Sequence, residues 1–460
     1  MPYIFRKFVP LRAIAFAIGE GALIFSAVFL GYLLFGRDTV VDSTPLLIAR
    51  GILVTSVFQL SLYYFDLYEF SGEQNLYDMA NRITQAWGAG CVVIAFSYIV
   101  VPAIIISTKI FLLVFLLAYV GVLLWRGVYV LAIEHRLFTT RLLVLGGGEQ
   151  SARVVRKLEQ LRDSGYTVVA QVGEGAAPRL IARHAAVYAD TTELSELARR
   201  HRIEVVVVAL DDRRGRMPIR ELLDCKLAGR NIVNGVSFFE GLTGTVLVED
   251  MNPSWIIFSD GFRKNRRIDL VKRLMDILAS STLMILSLPI ALLSALIIWL
   301  ESPGGVLYRQ QRVGQGGKVF EVIKFRSMHQ DAESSGPVWA MERDPRVTGY
   351  GAFMRKTRID ELPQLWNILR KDMSFVGPRP ERPEFVQRLQ DRIPYYSLRH
   401  TVRPGLTGWA QVRYPYGASE EDALRKLEYD LYYVKNMNVL MDTMIVLQTI
   451  KTVLFQKGGR

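Results

Sequence analysis

Four runs of apolar residues, at 11–35, 46–65, 83–106 and 110–133, crowd into the first third of this 460-residue chain. Each is long enough for a helix that crosses a bilayer, which takes about 20 residues. In hydrocarbon every backbone N–H and C=O must be paired within the chain, so runs of this kind are confined to helices. Half of all residues are apolar, yet 22% are charged, so soluble parts accompany the membrane part. Arg6 and Lys7 precede the first run and Arg12 lies at its start, and His135, Arg136 and Arg141 follow the fourth. Cations favour the cytoplasmic side, so both ends of a four-span bundle read as cytoplasmic. The basic start resembles a signal peptide, but no small-residue cleavage site follows, and it reads as a retained first span.

The segment 141–262 has a different pattern. "RLLVLGGGEQSARVVRKL" reads as strand, glycine turn and helix, and "EVVVVAL" at 204–210 as a buried parallel strand after a helix over 193–202. The expectation is a Rossmann-like α/β module. Gly146 and Gly148 fit the first two glycines of a dinucleotide fingerprint, but Ser151 stands at the third. So degenerate a fingerprint favours a module that binds nothing or only a regulator. A nucleotide-sugar epimerase or dehydratase would also need a Tyr-x-x-x-Lys couple, which 141–262 lacks.

A fifth apolar run, 274–300, has Pro289 near its middle, Lys272 and Arg273 before it, and Arg309 and Arg312 after it. Pro289 offers no N–H to residue 285 and its ring clashes there, which bends a helix. A fifth span would carry a basic domain across the membrane, against the charge rule. The preferred reading is a re-entrant helix over about 272–300 that turns at Pro289 and leaves on the side it entered. Nearly all of the net charge of +12 lies beyond residue 260. A basic domain beside a membrane suits anionic headgroups or a phosphorylated substrate. No nucleic-acid module is recognisable, so no nucleic-acid partner is expected. The two cysteines, Cys91 and Cys225, have no metal-ligand spacing and define no disulfide framework.

The chemistry concentrates in "RKTRIDELPQLWNILRKDMSFVGPRP", 355–380. Asp360 and Glu361 stand among Arg355, Lys356, Arg358, Arg370 and Lys371, with Arg379 between two prolines. An Asp-Glu pair is most often a helix start, with Asp360 as N-cap and Pro363 in the first turn. The other reading is a phosphate site. There Arg355 and Arg379 grip phosphate oxygens, and the acids hold Mg²⁺, which prefers a few carboxylates plus substrate phosphates. With cations so close, Asp360 is expected to stay ionised and able to attack phosphorus. Lys324 and Arg326, in "IKFRSM", alternate on a strand that faces either the site or solvent. Arg403 and Gln411, in "RPGLTGWAQ", belong either to a nucleotide-holding loop or to a packed turn around Trp409. Arg273 and Asp276, three apart, suit a structural pair.

These blocks resemble one family. "KRLMD" at 272–276, "YRQQRVGQGGKVFEVIKFRSM" at 308–328, "DELPQLWNILRKDMSFVGPRP" at 360–380, "RPGLTGWAQV" at 403–412 and "YDLYYVKN" at 429–436 are similar, in order, to the bacterial sugar transferases. These are polyprenyl-phosphate hexose-1-phosphate transferases, or monotopic phosphoglycosyl transferases. The four-span start and Rossmann-like module resemble the long form, and overall similarity points toward the exosortase-associated exopolysaccharide subgroup. The implied fold is an integral membrane, multi-domain protein: four α-helical spans (1–137), a Rossmann-like α/β domain (138–262) and an α+β monotopic catalytic domain (263–460) with the re-entrant helix. The implied reaction moves a sugar 1-phosphate from a UDP-sugar to undecaprenyl phosphate with release of UMP. It proceeds through a phosphosugar bonded to Asp360, with Glu361 helping by Mg²⁺ or a proton and Arg355 and Arg379 at the phosphates. The implied place is the bacterial inner membrane, catalytic domain on the cytoplasmic face. A homo-oligomer and downstream glycosyltransferases are further partners the family allows. A scaffold with a dead catalytic domain would have lost the acids or the arginines, and both are present.

Overall fold

The computed structural model describes residues 11–35, 44–68, 76–134, 139–161, 164–173, 185–189, 191, 193–211, 217–251, 256–257, 261–262, 266–329, 344–415, 417 and 419–454. The chain divides into two compact units, Met1–Thr243 and Gly244–Arg460.

The first unit begins with four helices, α1 (Leu11–Phe35), α2 (Thr44–Tyr64), α3 (Leu76–Val100) and α4 (Thr108–Glu134). All four are long and apolar enough to cross a membrane. The third run of the sequence reached 106, but the helix stops at Val100 because Pro102 cannot continue it. Ile24, Val28, Phe58, Leu62, Ile83, Trp87, Ile110 and Val114 fill the centre of the bundle. A buried ion pair pins it: Arg126 Nε donates to Glu20 Oε1 at 2.7 Å, and a second nitrogen to Oε2 at 2.9 Å. The Tyr68 hydroxyl also donates to Glu20, and Arg126 reaches the Leu67 carbonyl. A charge at this depth is tolerable only when paired, as here.

The α/β module follows within the same unit. Its strands are β1 (Thr140–Leu145), β2 (Tyr166–Val172), β3 (Ala186–Tyr188), β4 (Val205–Val208) and β5 (Asn231–Asn234). They form a wholly parallel sheet in the order β3-β2-β1-β4-β5, the first five strands of the Rossmann order. Helices α5 (Glu149–Gln160), α6 (Leu194–Arg200), α7 (Ile219–Leu227) and α8 (Gly235–Thr243) connect or follow them. The expected boundary at 262 is not where the units part. Gly244 accepts a hydrogen bond from the Trp409 indole, and Val246 N donates to the Glu428 carbonyl, so this stretch belongs to the second unit.

The second unit is built along one helix, α9 (Arg266–Glu301), which runs unbroken through Pro289. A turn between two helices was expected. Losing one N–H leaves the other hydrogen bonds of the helix intact, and in an apolar setting helix is the only way to keep them. Ser287 Oγ, 3.4 Å from the Met284 carbonyl, adds a bond one residue away from the carbonyl that Pro289 leaves unpaired. The helix is inverted relative to a soluble one. Its buried positions, Lys272, Asp276, Ser280, Ser287, Ser294 and Ile298, are mostly polar or small. Leu278, Ile285, Leu286, Leu292, Leu293, Trp299 and Leu300 are exposed. Small and polar residues toward protein and large apolar ones outward is the pattern that lipid imposes.

Against the inner face of α9 lie a hairpin, β6 (Leu307–Val313) with β7 (Val319–Phe325), then α10 (Gly349–Thr357) and α11 (Gln364–Leu369). The parallel pair β8 (Ser374–Val376) and β9 (Gly405–Thr407) flanks α12 (Pro383–Arg392) in sequence. The short α13 (Trp409–Arg413) and the longer α14 (Glu420–Asn436) and α15 (Val439–Leu454) complete the unit.

Candidate active site

Asp360 and Glu361 lie on a single 3-10 turn, Ile359–Glu361, between α10 and α11. Arg358, just before it, takes a left-handed conformation (φ 60°) that stops α10. The neighbours of the acids are apolar and face α9: Ile359 and Leu362 join a cluster with Ala291, Ala295 and Ile298, next to buried Met354 and Phe325. The acidic turn is thus seated on the part of α9 just beyond Pro289. Asp360 is not an N-cap; Pro363 holds that position for α11.

Both acids are only 7% exposed. Three cations converge on one oxygen, Glu361 Oε1: Arg379 at 2.9 Å, Lys324 at 3.5 Å and Arg358 at 3.6 Å. Burial alone would raise the Glu361 carboxyl, but Arg379, Lys324 and Arg358 together hold it far below the usual range. Asp360 behaves the other way. Burial, and then the charge of Glu361, push its carboxyl above the ordinary aspartate value, and Lys324, Arg358 and Arg355 offset this only in part. The cations expected around Asp360 make their contacts with Glu361 instead, and desolvation is the largest influence on the Asp360 carboxyl. The two acids titrate as a pair. Asp360 Oδ1 is buried and makes no hydrogen bond, a costly arrangement unless a ligand or reacting group meets it.

The remaining expected residues divide. Lys324, on β7, reaches Glu361, and burial lowers its pKa. Arg355, on α10, donates through Nε to Ser327 Oγ at 2.9 Å and acts on Asp360 through its charge. Arg326 is committed elsewhere: its guanidinium donates to the carbonyls of Ser302 and Pro303, closing the end of α9. Gln411 turns back to the Leu406 carbonyl, and Trp409 is buried, which is the packed-turn alternative for this block. Arg403 feels Asp276 and Asp269 of α9. Arg273 and Asp276 do not pair. Arg273 donates to the Ile368 and Leu369 carbonyls, while Asp276 accepts from Ser374 Oγ and Phe375 N.

The glycine-rich block works through its backbone. Gly405 N donates to Pro378 O, and Gly377 N to Thr407 O, so β9 holds β8 and the segment that leads from it to Arg379. A Cβ on Gly405 would come within 2.1 Å of Gly377 N. Arg399, buried beside Asp430, donates to the Arg379 carbonyl at 3.0 Å. Asn367 ties α11 to β7 just before Lys324: it accepts from Ile323 N and donates to Glu321 O. The sequence reading missed Asn367 and Arg399, and counted Arg358 only as one cation of the patch.

Among the described residues no group of three metal-binding side chains occurs. A divalent ion here would rest on the two acids and on substrate oxygens, as Mg²⁺ does. The unpaired Asp360 Oδ1 fits such an ion.

The architecture and site define a multi-domain membrane protein whose basic, acid-centred site sits on a lipid-type helix. Residues 267–456 match the family described as bacterial sugar transferase, and residues 64–223 match one described as CoA-binding domain. A UDP-glucose:undecaprenyl-phosphate glucose-1-phosphate transferase of Caulobacter vibrioides is 43% identical over 189 residues, 41% of this chain and 71% of that protein. The exopolysaccharide production protein PSS of Rhizobium leguminosarum bv. phaseoli is 40% identical over 42% of this chain and all of its own length. A UDP-N-acetylgalactosamine-undecaprenyl-phosphate N-acetylgalactosaminephosphotransferase of Aeromonas hydrophila is 42% identical over 52% of this chain, which spans 56% of that protein's length. The chain belongs to the bacterial sugar transferase family.

Proposed function

We propose that the protein transfers a sugar 1-phosphate from a UDP-sugar to undecaprenyl phosphate, at the cytoplasmic face of the inner membrane, as the first membrane step of an exopolysaccharide or other surface glycan. The observation that carries this reading is Asp360: a buried carboxyl with an unbonded oxygen, beside a cation cluster, on a turn packed against α9. Asp360 attacks the phosphorus that bears the sugar, and the bond to the bridging oxygen breaks. UMP leaves with that oxygen, and the phosphosugar remains on the carboxylate. A phosphate oxygen of undecaprenyl phosphate then attacks the same phosphorus and frees Asp360. Arg379, Lys324 and Arg358, now gathered on Glu361, supply the positive field that donor phosphates and developing charge require. Asp360 and Glu361 would hold Mg²⁺, which when bound neutralises phosphate charge. Family relatives named for undecaprenyl phosphate support the acceptor, and their UDP-sugar names support the donor class.

The re-entrant reading of α9 belongs to the same proposal. Near its start, Arg273 and Asp276 bond to 368–375, and near its end Ser294 bonds the Tyr350 hydroxyl at 2.8 Å and Glu301 accepts from Tyr350 N at 2.9 Å. Both ends hold the same unit. A course straight across the bilayer would place this charged unit alongside α9 within hydrocarbon, where its charges are costly.

Donor labelled with ³²P at the sugar-bearing phosphate tests the chemistry. Wild-type protein is expected to release UMP and, without acceptor, to trap label on the protein. Asp360→Asn is expected to lose both, with turnover down by at least about a thousandfold. Normal turnover by Asp360→Asn would refute the nucleophile, and a panel of UDP-sugars identifies the donor.

A further inference from the structure

The match to a CoA-binding family and the Rossmann order both imply a phosphate-bearing cofactor in the α/β module. In such sheets ligands bind beyond the carboxyl ends of the strands, where the strand order reverses. Here that point lies between β1 and β4, and the anion position is the start of α5, the helix after β1.

That position is filled by the chain itself. Asp211 follows β4 and reaches across the crevice. Its Oδ2 accepts from Glu149 N at 2.9 Å and its Oδ1 from Gln150 N at 2.8 Å. These are the first two amides of α5, the groups that a cofactor phosphate would need. The second glycine of the fingerprint makes room for this contact: a Cβ on Gly148 would lie 1.7 Å from Asp211 Oδ2. The first glycine has a separate reason. Gly146 has φ +145°, and a Cβ there would come within 2.2 Å of the Ala209 carbonyl. At the third position Ser151, fully buried, donates to the Gly148 carbonyl at 2.7 Å and closes the turn on itself.

We propose that Asp211 is a built-in anion that occupies the phosphate seat of this module, so that the module takes neither coenzyme A nor a dinucleotide. A carboxylate held by two amides at a helix start satisfies the same donors and partial charge as a phosphate. A second anion placed there would meet its charge and would find those amides already taken. The fingerprint glycines are retained because a carboxylate needs the same close approach.

The test uses the full chain in lipid nanodiscs. Equilibrium binding of coenzyme A, NAD⁺ and ADP to wild type is expected to show no saturation up to about 1 mM, and amide exchange at Glu149 and Gln150 to be slow. Asp211→Ala is expected to speed exchange at those two amides by about tenfold or more. Inorganic phosphate, against chloride at matched ionic strength, should slow it again in Asp211→Ala and leave wild type unchanged. Asp211→Asn, which keeps an acceptor oxygen without charge, should fall between the two and serves if the alanine variant does not fold. Saturable binding of any of the three cofactors to wild type, or exchange that ignores both substitutions, would overturn the proposal.

Discussion

Among single residues, the division between Asp360 and Glu361 was not legible in the sequence. Two adjacent acids in one basic patch look alike. Only the folded turn shows that one carboxyl collects three cations while its neighbour is left with an unbonded oxygen. The proposed attack requires Asp360 to be ionised, and burial with the Glu361 charge raises its pKa. Activity is therefore expected to fall as pH drops, with an acid limb above the usual aspartate range of about 4. Lys324 lowers the Asp360 pKa, so Lys324→Met should move that limb to higher pH as well as weaken donor binding. A pH profile of kcat/KM for the two proteins checks this; a limb that stays in place in Lys324→Met would separate Lys324 from the titration. Arg358 and Asn367 act through backbone shape and a buried amide bridge, for which composition and spacing gave no signal.

At the level of elements, periodicity was a good guide where one face dominates. Three of the N-terminal helices and the β1–α5 and α6–β4 segments fall where apolar runs, glycines and strand patterns placed them, while α3 is shifted to 76–100 from the run at 83–106. Pro289 lies inside α9, and the helix is continuous on both sides of it, so the missing N–H does not end the helix. What fixes α9 is its polar inner face. Lys272 Nζ bonds Asp442 Oδ2 at 2.6 Å, the Val376 carbonyl at 2.9 Å and the Tyr433 hydroxyl at 3.0 Å. It thereby joins α9 to β8, three residues before Arg379, and to α14 and α15. Lys272→Met would leave Asp442 buried without its cation, at a cost of about 3–5 kcal/mol to the second unit. Replacing both, Lys272→Met with Asp442→Leu, should recover most of that loss. Thermal unfolding of the two variants in one detergent measures it. Equal losses in both would mean that the pair itself, rather than the stranded charge, carries the stability. The "RPGLTGWAQ" block shows the reverse case: its side chains left a nucleotide loop and a packed turn both open, while its contribution here is a strand that only glycine can bring so close to Gly377.

For the whole molecule, the sidedness of the catalytic unit decides between the proposed reaction and its rivals. The proposed donor, a UDP-sugar, is cytosolic, so the proposed reaction requires Asp360 to face the cytosol. Two independent features lead there. Cations flank both ends of the four-helix bundle, and the even number of spans returns the chain to the side where it started. After that, α9 is tied at both ends to the second unit, and on the proposed re-entrant course it adds no crossing. If α9 crossed, the basic second unit would have to be translocated with Lys272, Arg273, Arg309 and Arg312 around the crossing, which the charge rule opposes. A single reporter cysteine distinguishes the two. In a background with Cys91 and Cys225 replaced by serine, Glu384→Cys places a thiol on the exposed side of α12. A membrane-impermeant maleimide should label it in inverted vesicles and leave it unlabelled in intact spheroplasts until they are lysed. Labelling in intact spheroplasts would put Asp360 on the far side from its donor. The transferase reading would then fail together with the re-entrant one, whereas the self-filled seat at Asp211 would stand, since it depends only on contacts within the first unit.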